Sequence, residues 1–99
     1  MVRTDLTLRQ QIVQSVHAAL EAAWAFPRPP GGPEVWLVVC ALANEAELDA
    51  AARYLIERQI GFRVFYEPDG GLGNTAIATE PIEPKYRSLM RRFRLWSDT

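Results

Sequence analysis

The run Val35-Trp36-Leu37-Val38-Val39-Cys40-Ala41 decides the fold. It is continuously apolar and rich in β-branched residues, without the alternation of a strand that has one wet face. Such a run predicts a strand covered on both faces, as in a parallel or mixed sheet packed by helices. The flanking segments have to supply those helices.

Upstream, Thr7 with Gln10 three positions later has the form of a capping box. Leu8, Ile12, Val16, Leu20 and Ala23 then recur at about four-residue spacing, which predicts an amphipathic helix to about Trp24 with that stripe on the core. Phe26 to Pro33 holds four prolines and two glycines and is read as an exposed loop. Downstream, Asn44 with Glu47 repeats the capping signature. Leu48, Ala51, Ala52, Leu55 and Ile56 form one stripe of a second helix, ending near Gln59 with Gly61 as its stop. Phe62 to Tyr66 alternates like a strand, Glu67 to Asn74 is rich in turn residues, and Thr75 to Thr79 is a short strand. Pro84 opens a last helical segment carrying Tyr86, Leu89, Met90 and Phe93. Val2 to Thr4 is a strand stub, and Arg94 to Trp96 can pair at a sheet edge. This order predicts one α/β domain over residues 1–99, a three-layer α/β/α arrangement with a four-stranded mixed sheet.

Composition limits the function classes. Hydrophobic residues make up 48% and charged residues 23%, a globular rather than a disordered balance. One cysteine, Cys40, excludes an internal disulfide framework and a Cys-based zinc site, and its apolar neighbours make it a core residue. No stretch approaches the roughly 20 apolar residues of a membrane span, and the first residues lack a signal-peptide core. A soluble cytoplasmic setting is the expectation. The net charge is −1, but it is unevenly placed. Residues 1–84 carry six arginines against eleven acids, whereas Lys85, Arg87, Arg91, Arg92 and Arg94 face Asp98 alone. A basic tail on an acidic body can contact phosphates, and equally it can be a solvated helix end whose cations suit the C-terminal dipole.

The usual catalytic sets are mostly absent. The single histidine, His17, lies one position off the apolar stripe and reads as half-buried and structural. No G-x-S-x-G elbow is present. Gly70-Gly71-Leu72-Gly73 fails the Walker and dinucleotide patterns, and precedes a strand rather than a helix.

An ordered set of short motifs points further. Val2-Arg3-Thr4-Asp5-Leu6, then Gln14, then His17-Ala18-Ala19-Leu20 resembles the opening signature of the type 2 peptidyl-tRNA hydrolases. Thr75-Ala76-Ile77-Ala78-Thr79-Glu80-Pro81 is similar to that family's T-A-L-A-I-G-P strand, and Phe93-Arg94-Leu95-Trp96 to its closing L-K-L segment. The resemblance implies hydrolysis of the ester between a peptide and the terminal ribose of tRNA, a reaction that asks for neither metal nor other cofactor. It implies Gln14, Thr75 and Asp69 near the chemistry, with tRNA or peptidyl-tRNA as partner. Arg87, Arg91 and Arg92 would contact RNA phosphates.

The departures are equally specific. The family's helix lysine falls on Gln10, so adjacent Arg9 is the surrogate cation. The family's D-A-G-R-T loop is replaced by Glu67 to Asn74, with Asp69 standing for its aspartate. These losses raise the alternative of a catalytically degenerate member that binds RNA or protein. The family's first strand begins several residues further upstream. A start assigned too far downstream, a truncated chain or a diverged fold each accounts for that, and a homodimer whose partner completes the sheet is a third reading.

Overall fold

The computed structural model describes residues 1–30 and 36–97. Strand β1 (Val2–Arg3) leads through a turn into helix α1 (Leu8–Ala25). The capping box forms as expected: the Thr7 hydroxyl accepts from the Gln10 N–H at 3.2 Å, and the Gln10 carboxamide accepts from the Thr7 N–H at 2.9 Å. Two amide donors at the helix start, which have no partner within the helix, are satisfied in this way.

The face that α1 buries is not the expected one. Gln14, Ala18 and Ala22 lie against the sheet, while Leu8, Ile12, Val16 and Leu20 are exposed. Small side chains allow the helix backbone close to the strands. Periodicity groups residues on a face but does not say which face meets the sheet.

The decisive run is also shorter as a strand than expected. Strand β2 spans Cys40–Leu42, and Trp36 to Val39 are extended neither in a ladder nor under cover, at 46% to 87% exposed. Val35 lies outside the described residues. The cause is register. Val2 pairs with Ala41 and Arg3 with Leu42, so β1 offers partners only from about Cys40 onward. Val39 keeps one link, its carbonyl accepting from the Trp96 N–H at 2.9 Å.

Helix α2 (Glu45–Glu57) starts on Asn44, whose side chain accepts from the Glu47 N–H at 3.0 Å. Two glutamates in its first turn suit the positive end of the helix dipole. Its stop is Gln59, not Gly61. Gln59 takes φ 59°, the Ile60 N–H reaches back to the Leu55 carbonyl, and the Gln59 N–H to that of Ile56. That is the left-handed double-bonded termination usually given to glycine. Gly61 instead serves close approach, since a Cβ there would collide with the Glu80 carboxylate and the Phe26 ring.

Strands β3 (Phe62–Glu67) and β4 (Gly73–Thr79) form a long antiparallel pair, separated by a short 3-10 turn at Asp69–Gly71. Pro84–Met90 winds as 3-10 rather than α-helix, and Arg94–Leu95 makes β5. Among the described residues the sheet has five strands rather than four, in the order β3-β4-β1-β2-β5. Only β1 and β2 run parallel among its paired neighbours. The fifth strand is the Arg94–Leu95 edge pairing, joined to β2.

Two apolar clusters hold the sheet. Leu48, Ala51 and Leu55 of α2 pack with Leu42, Ile60 and Ile77. Ala18 of α1 packs with Val2 and Ala76, bordered by Phe65 and Trp96. Successive strand residues project to opposite faces, and neighbours Ala76 and Ile77 accordingly enter different clusters. Cys40 is buried, and burial pushes its thiol pKa up. Among the described residues no helix is long and apolar enough to cross a membrane.

Candidate functional site

The β3–β4 ladder slips once. Phe65 pairs with Ala76 but Tyr66 pairs with Asn74, which leaves Thr75 as the extra residue of a bulge. Bulges re-aim side chains, and this one turns Thr75 toward α1. Its hydroxyl donates to the Gln14 carboxamide oxygen at 2.7 Å, with the Phe65 carbonyl 3.3 Å away as a second acceptor. Gln14 is 5% exposed and Thr75 0%.

A second polar set lies beside it, at the end of β1 and the start of β4. Arg3 grips Asp5 with two parallel bonds, Nε to Oδ1 at 2.9 Å and Nη2 to Oδ2 at 2.8 Å. Its Nη1 donates to the carbonyls of Leu72 at 2.5 Å and Asn74 at 3.0 Å. The hydrogen bonds from Arg3 hold the Asp5 carboxyl below its ordinary value, and Asp5 in turn raises Arg3. From the other side the Glu45 carboxylate accepts from the Asn74 N–H at 2.7 Å. Residues 72–74 are therefore clamped by a cation on their carbonyls and an anion on their amide. Gly73 permits this, with φ 74° and the Glu45 carboxylate standing where a Cβ would be.

The expected site residues divide. Gln14 and Thr75 meet. Arg9 sits on the exposed side of α1, five positions before Gln14 and so about 140° around the helix. Asp69 is exposed in the 3-10 turn, its carbonyl accepting from the Leu72 N–H at 3.4 Å. The cation bonded to the start of the Thr75 strand is Arg3. Sequence reading missed Arg3, Asp5 and Glu45 as members of this cluster. The one available signal was the opposite charge of Arg3 and Asp5 two residues apart, a spacing short enough for the turn after β1 to bring them together.

Arg87, Arg91 and Arg92 are exposed at the surface around Met90. The Arg92 guanidinium lies 4.2 Å over the Tyr54 ring, and that of Arg58, unforeseen from sequence, lies 4.5 Å over the same ring. The Tyr54 hydroxyl donates to the Leu89 carbonyl at 2.6 Å, tying this patch to α2. His17 is exposed rather than half-buried, with its ring stacked on Phe65 at 4.3 Å. A cleft of about 290 Å³ lies between β2, α2 and Arg92–Arg94, and another of about 250 Å³ beside Gln59 and Tyr86. Neither is lined by Gln14 or Thr75.

Chemically, the Gln14–Thr75 pair offers a hydroxyl and a carboxamide, and Arg3 a fixed positive charge. Together they can orient a polar group and stabilise negative charge. Searches of protein-family models, curated proteins and solved structures find no match to the chain.

Proposed function

We propose that this chain is a peptidyl-tRNA hydrolase-like protein that acts on the ester between a peptide and tRNA. One observation carries the reading. Gln14 and Thr75, the two residues that follow the type 2 family's motifs at its reacting centre, are 61 positions apart and share a 2.7 Å hydrogen bond. Ester cleavage needs an oriented water and donors for the developing oxyanion. In this reading the Thr75 hydroxyl and the Gln14 carboxamide orient the ester, and Asp69 takes the proton from water. Arginine is permanently protonated, so Arg3, bonded to the start of the Thr75 strand, supplies charge and not proton transfer, while Arg9, on the exposed face of α1, stands apart from this site. Arg87, Arg91 and Arg92 hold the RNA backbone in a cytoplasmic protein without cofactor, and the sheet is the middle of three layers. The test is release of peptide from peptidyl-tRNA, with Thr75→Ala beside the wild type. Turnover that Thr75→Ala abolishes supports the reading, and a wild-type rate equal to buffer overturns it.

A second reading is a binding module without turnover. Its supporting observation is that Gln14 and Thr75 are buried and satisfy each other, while Asp5 occupies the Arg3 guanidinium. RNA binding that weakens steeply with salt, with no peptide release, favours it. Absence of RNA binding turns it toward a protein partner.

A further inference from the structure

Helix α1 is apolar on the side that faces away from the sheet. Leu8, Ile12, Val13, Val16, Leu20 and Trp24 are each between 44% and 76% exposed. They form one stripe along an 18-residue helix about 27 Å long. Scattered exposed hydrophobes are normal, but a continuous patch on this scale marks an interaction surface.

The spacing of the stripe says what covers it. A two-fold axis through Val16 sets a second α1 antiparallel to the first. Leu8 then meets Trp24 of the second copy, Ile12 meets Leu20, and Val16 meets itself. Val13 falls opposite Ala19 and Arg9 opposite Ala23, so large side chains face small ones where the helices are nearest. A surface that is complementary to itself about one axis is what a two-fold dimer requires. Charge agrees with this. Arg9 is the one charged residue within the stripe; its two copies lie toward opposite ends of the seam, roughly 20 Å apart, beyond the screening length of physiological salt, where the long stem carries each guanidinium out to water instead of burying it. Area agrees as well. The six side chains expose on the order of 600 Å² per copy, so a pair can bury up to roughly 1,200 Å², which reaches the lower limit for a specific interface.

The geometry points to a homodimer in which α1 packs antiparallel on α1 of a second copy, centred on Val16. This inference is independent of the proposed activity, because Gln14 and Thr75 lie on the sheet side of α1 and Arg9, within the stripe, is not part of that site.

Sedimentation equilibrium tests it, with Ile12→Lys and Leu20→Glu made separately. Both positions are exposed in the monomer, so an unchanged circular dichroism spectrum is expected for each. The wild type sediments as a dimer at tens of micromolar. Each single variant buries two unpaired charges and weakens self-association by more than about tenfold. An equimolar mixture of the two restores a dimer, since the ammonium at position 12 of one chain faces the carboxylate at position 20 of the other. A wild type that stays monomeric, single variants that associate like the wild type, or a mixture that stays monomeric would each overturn the proposal. A second measurement fixes the axis. Val16→Cys forms a disulfide-linked dimer under mild oxidation, because that position meets its own copy, whereas Cys40 is buried. Failure to cross-link at 16 rejects this packing even if the chain dimerises elsewhere.

Discussion

The Thr75 hydroxyl donates a 2.7 Å hydrogen bond to the Gln14 carboxamide from the extra residue of a bulge, across a fully buried contact between β4 and α1. Thr75→Val keeps the side-chain volume and removes the donor, leaving the Gln14 oxygen buried without it. The expected loss is about 1–3 kcal/mol in urea unfolding. Thr75→Ser keeps the donor and is expected to recover most of that stability. If peptidyl-tRNA cleavage is present, Thr75→Ser retains it and Thr75→Val does not. Equal stability of the valine and wild-type proteins would remove the bond from any structural role.

Arg3 and Asp5 give the protein an acid-sensitive joint. The folded Asp5 pKa lies below its ordinary value because Arg3 hydrogen-bonds the carboxylate. The stability it contributes is therefore present above the ordinary aspartate range, about 3.9, and is lost as pH falls through the lowered folded value. Below about pH 4 the wild type is expected to lose urea resistance faster than Asp5→Asn, whose side chain cannot titrate. Parallel acid limbs for the two proteins would contradict this. Arg3→Lys keeps the charge but not the paired bonds to Asp5, nor both carbonyl contacts to residues 72 and 74, and is expected to loosen the start of β4.

Gln59 ends α2 with φ 59°, a conformation that costs a side chain roughly 1–2 kcal/mol. Gln59→Gly removes that cost but adds freedom to the unfolded chain, so a net gain of about 0.5–1 kcal/mol is expected. Gln59→Val is expected to move stability the other way. Thermal or urea midpoints decide between them, and a glycine variant less stable than wild type would show that the glutamine side chain makes an offsetting contact.

Some of this architecture is written locally and was legible. The starts of α1 and α2 follow from Thr7–Gln10 and Asn44–Glu47, because a cap involves only residues three apart. Long-range facts were not legible. Trp36 to Val39 look like a buried strand, yet strand burial depends on a neighbour, and the β1–β2 register supplies one only near Cys40. The bulge that selects Thr75 is a property of the β3–β4 pairing, which neither strand reveals alone. Gln14 and Thr75 were singled out by motif resemblance. Their meeting, and the clamp of Arg3 and Glu45 on residues 72–74, depends on contacts across 29 to 71 positions. Alternation and helical period carry no information over such spans.

The side of α1 that meets the sheet is the sharpest case, and it can be tested at two positions. Ala18 is packed with Val2 and Ala76, the latter fully buried, so no room exists there for three more heavy atoms. Ala18→Leu overpacks the contact and is expected to cost about 1–3 kcal/mol. Ile12→Gln changes a far larger side chain, but on the exposed face. At protein concentrations low enough to suppress self-association, its cost should stay within about 0.5 kcal/mol. Hydrophobicity alone orders these two variants the opposite way, since the first adds apolar surface to the helix and the second removes it. A destabilised Ile12→Gln with a tolerated Ala18→Leu would mean that α1 packs through its large residues. The dimer through Val16 would then lose its surface, because the stripe would already be covered within one chain.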